Sequence, residues 1–139
     1  MKTELKRKMG IRKTVSVLLV LSALSLGLCG CSKYNSHYNA VGYAHSNGSM
    51  SFSSFDGVQV HSFDWDKDTT GHIRYTAKLE KGSATVYYDM DGTKKEWFTV
   101  KAGETVEGTG LELPKGNIDI LVETNEPCEE GRFTFEAVD

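Results

Sequence analysis

Three alternating carboxylates have a spacing that suits metal chemistry. Asp64, Asp66 and Asp68 follow one another at every second position. Acidic loops bind calcium by placing carboxylate and carbonyl oxygens at such positions, and an EF-hand loop also needs Gly at its sixth and Glu at its twelfth position. Thr69 and Tyr75 stand there, so an EF-hand is excluded. Two interpretations remain: a looser calcium site at the end of a strand, and a solvated acidic turn without a cofactor, which we favour.

Aromatic residues form a second candidate site. Tyr87 and Trp97 lie on two neighbouring predicted strands, and Trp65 lies in a predicted loop. Exposed aromatic faces suit stacking on sugar rings, and large exposed apolar patches usually mark a contact surface. The three rings therefore predict a binding site for a glycan or a peptide. The alternative is that they only stabilise the sheet across its strands.

Catalytic motifs are not evident. The sequence contains no Gly-x-Ser-x-Gly, HExxH or P-loop motif. His61 and His72 lie on predicted strands near acidic residues, but nearness in sequence does not make a triad. We therefore expect no enzyme, with a small hydrolase as the remaining alternative.

The N-terminal segment carries a targeting signal. The first thirteen residues are rich in Lys and Arg, with Glu4 as their one acid, and the run from Val15 to Leu28 is apolar or small. A membrane-spanning helix needs about 20 apolar residues, so this run is short for one. A basic start followed by a short apolar run is typical of a secretory signal peptide.

The end of that run, Leu28-Cys29-Gly30-Cys31, resembles the lipobox of bacterial lipoproteins. In that family a diacylglycerol is attached to the Cys thiol, and a peptidase cuts the chain just before it. The resemblance implies that Cys31 carries the lipid and that Leu28, Cys29 and Gly30 form the recognition sequence before the cut. It also implies a lipid-anchored protein, with fatty acids such as palmitate, on the bacterial cell membrane and facing outside the cytoplasm. The alternative is a signal-anchor that is never cut.

Composition divides the chain into three parts. We expect a signal peptide over residues 1–30, a polar tether rich in Ser, Asn and Gly over residues 31–48, and one domain over residues 49–139. Residues 1–30 hold six of the 16 basic and one of the 19 acidic residues, so the remaining 10 and 18 give a net charge of −8. Such an acidic chain argues against nucleic acid and anionic lipid headgroups as partners.

The domain shows the alternation of β-strands. Every second residue is apolar over residues 72–80, 83–90, 117–123 and 132–137. Turn signals containing Gly separate such runs, at Asp56-Gly57, Thr70-Gly71, Lys81-Gly82, Asp91-Gly92, Ala102-Gly103, Lys115-Gly116 and Glu130-Gly131. The pattern predicts an all-β fold, an antiparallel β-sandwich of seven or eight short strands, with a barrel as the alternative.

The alternation also predicts the core and one hairpin. The inward residues are Phe52, Ile73, Tyr75, Leu79, Val86, Phe98, Val100, Ile118, Ile120, Phe133 and Phe135. If Val86 faces Phe98, then a Thr pair, an aromatic pair of Tyr87 with Trp97, and an opposite-charge pair all meet across the strands. Cys128 has no partner left for a disulfide once Cys29 is removed and Cys31 is lipidated, so the fold must depend on its core.

The second half of the domain resembles small bacterial β-sandwiches of the pre-peptidase C-terminal or GOLD-like kind. The similarity lies in a strand after a Gly turn, residues 113–120, and a final Gly-x-aromatic-x-aromatic strand, residues 131–135. That resemblance implies an accessory module without catalysis. We therefore expect a lipoprotein whose sandwich binds an envelope component, a glycan or a partner protein. A calcium-stabilised structural module is the alternative, and a small secreted hydrolase is a less favoured one.

Overall fold

A computed structural model describes residues 33–139, and residues Tyr34–Asp139 form one compact unit. This part of the chain contains no helix. Its seven strands are β1 (His37–Val41), β2 (Ala44–Ser46), β3 (Ser49–Trp65), β4 (Gly71–Asp89), β5 (Lys95–Lys101), β6 (Thr105–Leu113) and β7 (Gly116–Val138). All pairings are antiparallel, in the order β1-β3-β7-β4-β5, with β2 also on β3 and β6 also on β4. The predicted all-β class and the number of strands are confirmed.

Three strands are much longer than predicted, with 17, 19 and 23 residues in β3, β4 and β7. They are long because three predicted turns, Asp56-Gly57, Lys81-Gly82 and Glu130-Gly131, lie inside strands. Gly57 and Gly82 have φ values of 142° and 90°, and Glu130 has a φ of 49°. Such residues bend a strand without ending it, as at a β-bulge.

The bends fold the sheet into two layers. The registers shift between Phe55 and Val58 on β3 and around Gly82 on β4, where both strands pair with residues 123–129 of β7. Tyr75 and Val86 would lie about 35 Å apart on a straight strand. Yet the ring of Tyr75 stacks at 4.9 Å on Phe98, the register partner of Val86. The sheet therefore closes on itself as a β-sandwich.

We call the two halves the first layer and the second layer. The first layer comprises β2, β6 and residues 49–55, 71–81 and 128–138 of the long strands. The second layer comprises β5 and residues 58–65, 83–89 and 116–126, while β1 pairs with β3 across the bend.

The core lies between the layers and agrees with the predicted set. Nine of its eleven members are buried, and Tyr75 and Phe98 are half-buried against the others. The structure adds further buried apolar residues, namely Met50, Phe55, Trp65, Ala77, Ala84, Leu113, Leu121, Val122 and Cys128.

The predicted tether is wrong from residue 37 onward, because β1 and β2 belong to the sheet. Three tyrosines attach this segment to the domain. The hydroxyl of Tyr34 donates to Asp89 at 2.6 Å, Tyr38 packs at 5.1 Å on Phe55, and the hydroxyl of Tyr43 donates to Gln59. The polar composition suggested a spacer, but edge strands are commonly polar because one side of them faces water.

The register of the β4–β5 hairpin is confirmed as far as Val86, which pairs with Phe98, and Thr85, which pairs with Thr99. The predicted pair of Tyr87 with Trp97 is wrong, because a β-bulge leaves Trp97 unpaired and sets Tyr87 opposite Glu96. A bulge inserts one extra residue and can re-aim a side chain.

Candidate functional site

The three predicted aromatic residues do not form one exposed surface. Trp65 is only 5% exposed, and its indole N–H donates to the carbonyl of Thr69 at 2.8 Å. The bulge turns Trp97 toward the core, where its ring contacts Tyr75 at 4.6 Å. Tyr87 is half-buried under the ammonium of Lys94, 4.2 Å from its ring centroid. The geometry assumed for the platform is therefore wrong.

The three predicted metal-ligating aspartates are exposed, and Asp68 forms an ion pair with Lys115 at 3.3 Å. In the part of the chain that the structure describes, no three His, Cys, Asp or Glu side chains are grouped so that they could hold a metal ion. Asp64, Asp66 and Asp68 are thus not brought together as one site.

The predicted lipid attachment lies outside the described residues. This applies to Cys31 and to the recognition residues Leu28, Cys29 and Gly30. Over residues 33–139, the structure contains no helix of the length and apolarity needed to cross a membrane.

His61 lies in the interior, 2% exposed, with its ring 5.6 Å from Phe135 of the opposite layer. The backbone N–H of Gly48 donates to its Nδ1 at 3.3 Å, which leaves the proton on Nε2, and Nε2 has no partner within residues 33–139. Burial, with a smaller contribution from His45, lowers the pKa of His61 to about 4, so the ring is neutral near pH 7. A hydrolase that uses His61 as a surface base therefore does not fit.

Cys128 is buried beside a hollow of about 330 Å³ at the bend. Its single S–H has two acceptors within reach, the carbonyl oxygens of Glu126 at 3.3 Å and Ser83 at 3.4 Å. Burial raises the pKa of this thiol to about 11, which keeps it protonated and unreactive near neutral pH. The residue therefore packs as a small apolar group.

A larger groove of about 410 Å³ crosses the outer face of the first layer. The alternation of the strands builds it, since buried Met50, Ala77, Leu79 and Phe133 force their neighbours outward. Six of its nine lining residues are polar or charged. The lining residues are Gly42, Ser51, Phe52, Ser53, Lys78, Glu80, Glu130, Gly131 and Arg132.

The charges in this groove form two rows. Lys78 lies directly opposite Arg132, which in turn lies opposite Ser51. Leu79 is opposite Gly131 and Lys81 is opposite Glu129, so the register brings Glu80 and Glu130, which both line the groove, next to each other. Within residues 33–139, none of the four charged side chains forms an ion pair or a side-chain hydrogen bond. The groove thus offers cationic donors beside carboxylate acceptors, all open to a ligand.

Sequence reasoning missed this site. The alternation correctly placed Lys78, Glu80 and Arg132 on an outward face. It did not show that β7 pairs beside β4, which brings together residues 54 positions apart. The two outward charges on β4 and the outward arginine on β7 were the available signal.

No protein-family model matches this chain, and no curated protein matches it. Several solved structures are similar to it. A carbohydrate-binding module of family 29 has a TM-score of 0.39 and 17% identity, over 74% of this chain and 74% of that one. A variant of the module CBM29-2 has a TM-score of 0.40 and 17% identity, over 76% of this chain and 81% of that one.

Another CBM29-2 variant, solved in complex with mannohexaose, has a TM-score of 0.38 and 17% identity, over 74% of this chain and 89% of that one. None of these three is a pre-peptidase C-terminal or GOLD-like domain, so that resemblance stays a prediction. At such low TM-scores and identities, nothing about a ligand of this chain follows from the similarity.

Proposed function

We propose that this chain is a lipid-anchored bacterial lipoprotein whose β-sandwich binds an envelope glycan outside the cytoplasm, without catalysing a reaction. The observation that carries the proposal is the groove on the first layer. Its size of about 410 Å³ suits a small part of a sugar chain, and its hydroxyl, cationic and carboxylate groups match the donors and acceptors of sugar hydroxyls.

The lipid anchor is supported by the lipobox-like residues Leu28 to Cys31. Since the compact unit begins at Tyr34, only two residues separate Cys31 from it. Two residues add less than about 10 Å of reach. A lipid on Cys31 would therefore hold the sandwich close to the membrane, where it meets glycans near the bilayer rather than distant ones.

A glycan array tests the binding. The full chain is purified from membranes in a detergent without a sugar headgroup, because such a headgroup could itself occupy the groove. We expect binding to one class of glycan, and weaker binding by at least about tenfold for Arg132→Gln, because a hydrogen-bonding charge is lost. Arg74→Gln is the matched control, since Arg74 lies outward on β4 but outside the groove. If the chain bound no glycan on the array, the proposed glycan-binding function would be wrong.

Intact-mass measurement of the membrane-extracted protein tests the anchor. We expect loss of residues 1–30 and gain of a diacylglyceryl group, and Cys31→Ser should abolish both changes. An unmodified full-length chain would contradict the anchor while leaving glycan binding to be judged by the array.

A further inference from the structure

Charged residues along β4 and β7 are placed in two different ways. At either side of the groove, opposite charges face each other: Arg74 pairs with Glu136 at 3.6 Å, and Lys81 pairs with Glu129 at 3.1 Å. Opposite charges placed in this way stabilise an antiparallel sheet. Outside the groove, β4 and β7 therefore carry complementary charges, which stabilise the sheet.

Inside the groove the arrangement is reversed. Lys78 is the register partner of Arg132. Two residues along, Glu80 and Glu130 both line the groove, between the register pairs Leu79–Gly131 and Lys81–Glu129. Like charges directly opposite each other are destabilising. Exchanging Lys78 with Glu80 would give two complementary pairs with the same composition, so the observed order costs stability that the fold does not require.

The cationic row suits an anionic group. The guanidinium of Arg132 presents a planar fork of donors that matches a carboxylate or a phosphate, and the ammonium of Lys78 adds a point charge. Both side chains are exposed, and neither is neutralised by an acid among residues 33–139. An anion between them would turn their repulsion into attraction.

The acidic row lies about 7 Å further along the strands, and it favours a ligand group without negative charge. Glu80 and Glu130 can accept hydrogen bonds from hydroxyl or amide groups, but they repel a second anion. The net charge of −8 for residues 31–139 adds repulsion against a chain with many charges. The groove therefore disfavours ligands with many negative charges and favours a ligand with one anionic group.

We propose that the groove selects a glycan with an isolated anionic group, a carboxylate or phosphate on one sugar, next to neutral sugars. This proposal rests on the glycan binding proposed above. The cationic row holds the anion, and the acidic row accepts hydrogen bonds from the neutral neighbour.

Calorimetric titration of the full chain in the same detergent distinguishes the ligands. The probes are a hyaluronan hexasaccharide, in which uronate and neutral sugars alternate, a galacturonate hexasaccharide, with uronate on every ring, neutral chitohexaose, and a pentamannose with one phosphate. We expect hyaluronan or the phosphorylated pentamannose to bind at least about tenfold more tightly than the other two, and the better of them identifies the anion. If chitohexaose bound as tightly as the anionic probes, selection of an anionic group would be wrong, but glycan binding would stand. If none of the four probes bound and the array showed no bound glycan, both the selectivity and the glycan binding would be wrong.

Two variants separate the rows. Lys78→Glu places a carboxylate opposite Arg132, so we expect a higher melting temperature together with loss of binding to the preferred probe. Glu80→Gln should improve binding of the galacturonate hexasaccharide several-fold and change the preferred probe little. Arg74→Gln is again the control. Unchanged affinity in Lys78→Glu, with the fold intact, would overturn the assignment of the cationic row.

Discussion

The outer faces of the two layers use polar residues differently, although the same long strands supply both. On the second layer polar side chains bind one another: the hydroxyls of Thr85 and Thr99 lie 3.0 Å apart, and the amide of Asn125 donates to Ser83 at 2.9 Å. On the first layer the groove residues have no such partners among residues 33–139. The second layer thus satisfies these polar groups internally, whereas the groove on the first layer keeps its own available.

Two lysines make the contrast concrete. Lys94, beside the second layer, donates to both carboxylate oxygens of Glu123 at 2.8 Å and lies over the ring of Tyr87. Lys78, on the first layer, lies opposite another cation. A charge with partners contributes to stability, whereas a charge opposite its own sign costs stability.

The largest effect should come from the contact between the layers. We expect Trp97→Ala to lower the free energy of unfolding by about 3 kcal/mol, because it removes a ring that contacts Tyr75, Phe98 and Phe135 between the layers. Chemical denaturation measures the loss. Glycan affinity of the folded variant should be unchanged, since Trp97 does not line the groove. Lost affinity with unchanged stability would instead restore a binding role for Trp97.

The second largest effect should come from acid, which lowers the free energy of unfolding through the buried His61. In the folded chain the pKa of His61 is about 4, against an ordinary value of 6.5. Below pH 6.5 the unfolded chain therefore binds more protons, so stability present above that pH is lost as pH falls toward 4, by about 3 kcal/mol at most. The measurement is the free energy of unfolding between pH 7 and 4, and His61→Leu should flatten this dependence. His37→Gln, at an exposed position, is the control, and an equal slope in wild type and His61→Leu would rule out His61 as its source.

A smaller loss is expected from the second layer's outer face. Lys94→Met should lower the free energy of unfolding by about 1 kcal/mol, because it removes a two-oxygen ion pair and a cation–π contact at a partly exposed position. The loss should shrink at high salt, which screens the ion pair. A neutral effect would mean that the pairing on this face does not distinguish it from the groove.

The smallest change should come from the groove itself. Lys78→Met should leave the free energy of unfolding unchanged or raise it by about 0.5 kcal/mol, because it relieves the repulsion with Arg132. Denaturation under the conditions used for Lys94→Met makes the two lysines directly comparable. A loss as large as that of Lys94→Met would show that Lys78 stabilises the fold, and the contrast between the layers would fail.

The local pattern was sufficient for much of the fold. Alternation in residues 72–80 and 132–137 placed Ile73, Leu79 and Phe133 inside, because side chains of a strand point to opposite faces in turn. The hairpin register followed from the match of Thr85 with Thr99. Such predictions succeed because they depend on neighbours along the chain or across one turn.

Errors appeared where a residue's conformation depends on distant packing. Gly82 is typical of a turn, but a Cβ there would lie 2.5 Å from the carbonyl of Pro127, so this glycine is needed where β4 passes close to β7. The bulge at Trp97 could not be predicted either, because the hairpin pairs alone favoured Tyr87 as its partner.

The sequence by itself determined the all-β class, most of the inward residues and the lipobox-like segment, because each depends on residue types at short spacing. Only the tertiary structure decided that the sheet bends into two layers and that Lys78 faces Arg132. The physical reason is that pairing between strands distant in sequence follows from burying the whole apolar surface at once. No local pattern specifies which strands become neighbours. The groove forms only because β3, β7 and β4 lie side by side in the sheet.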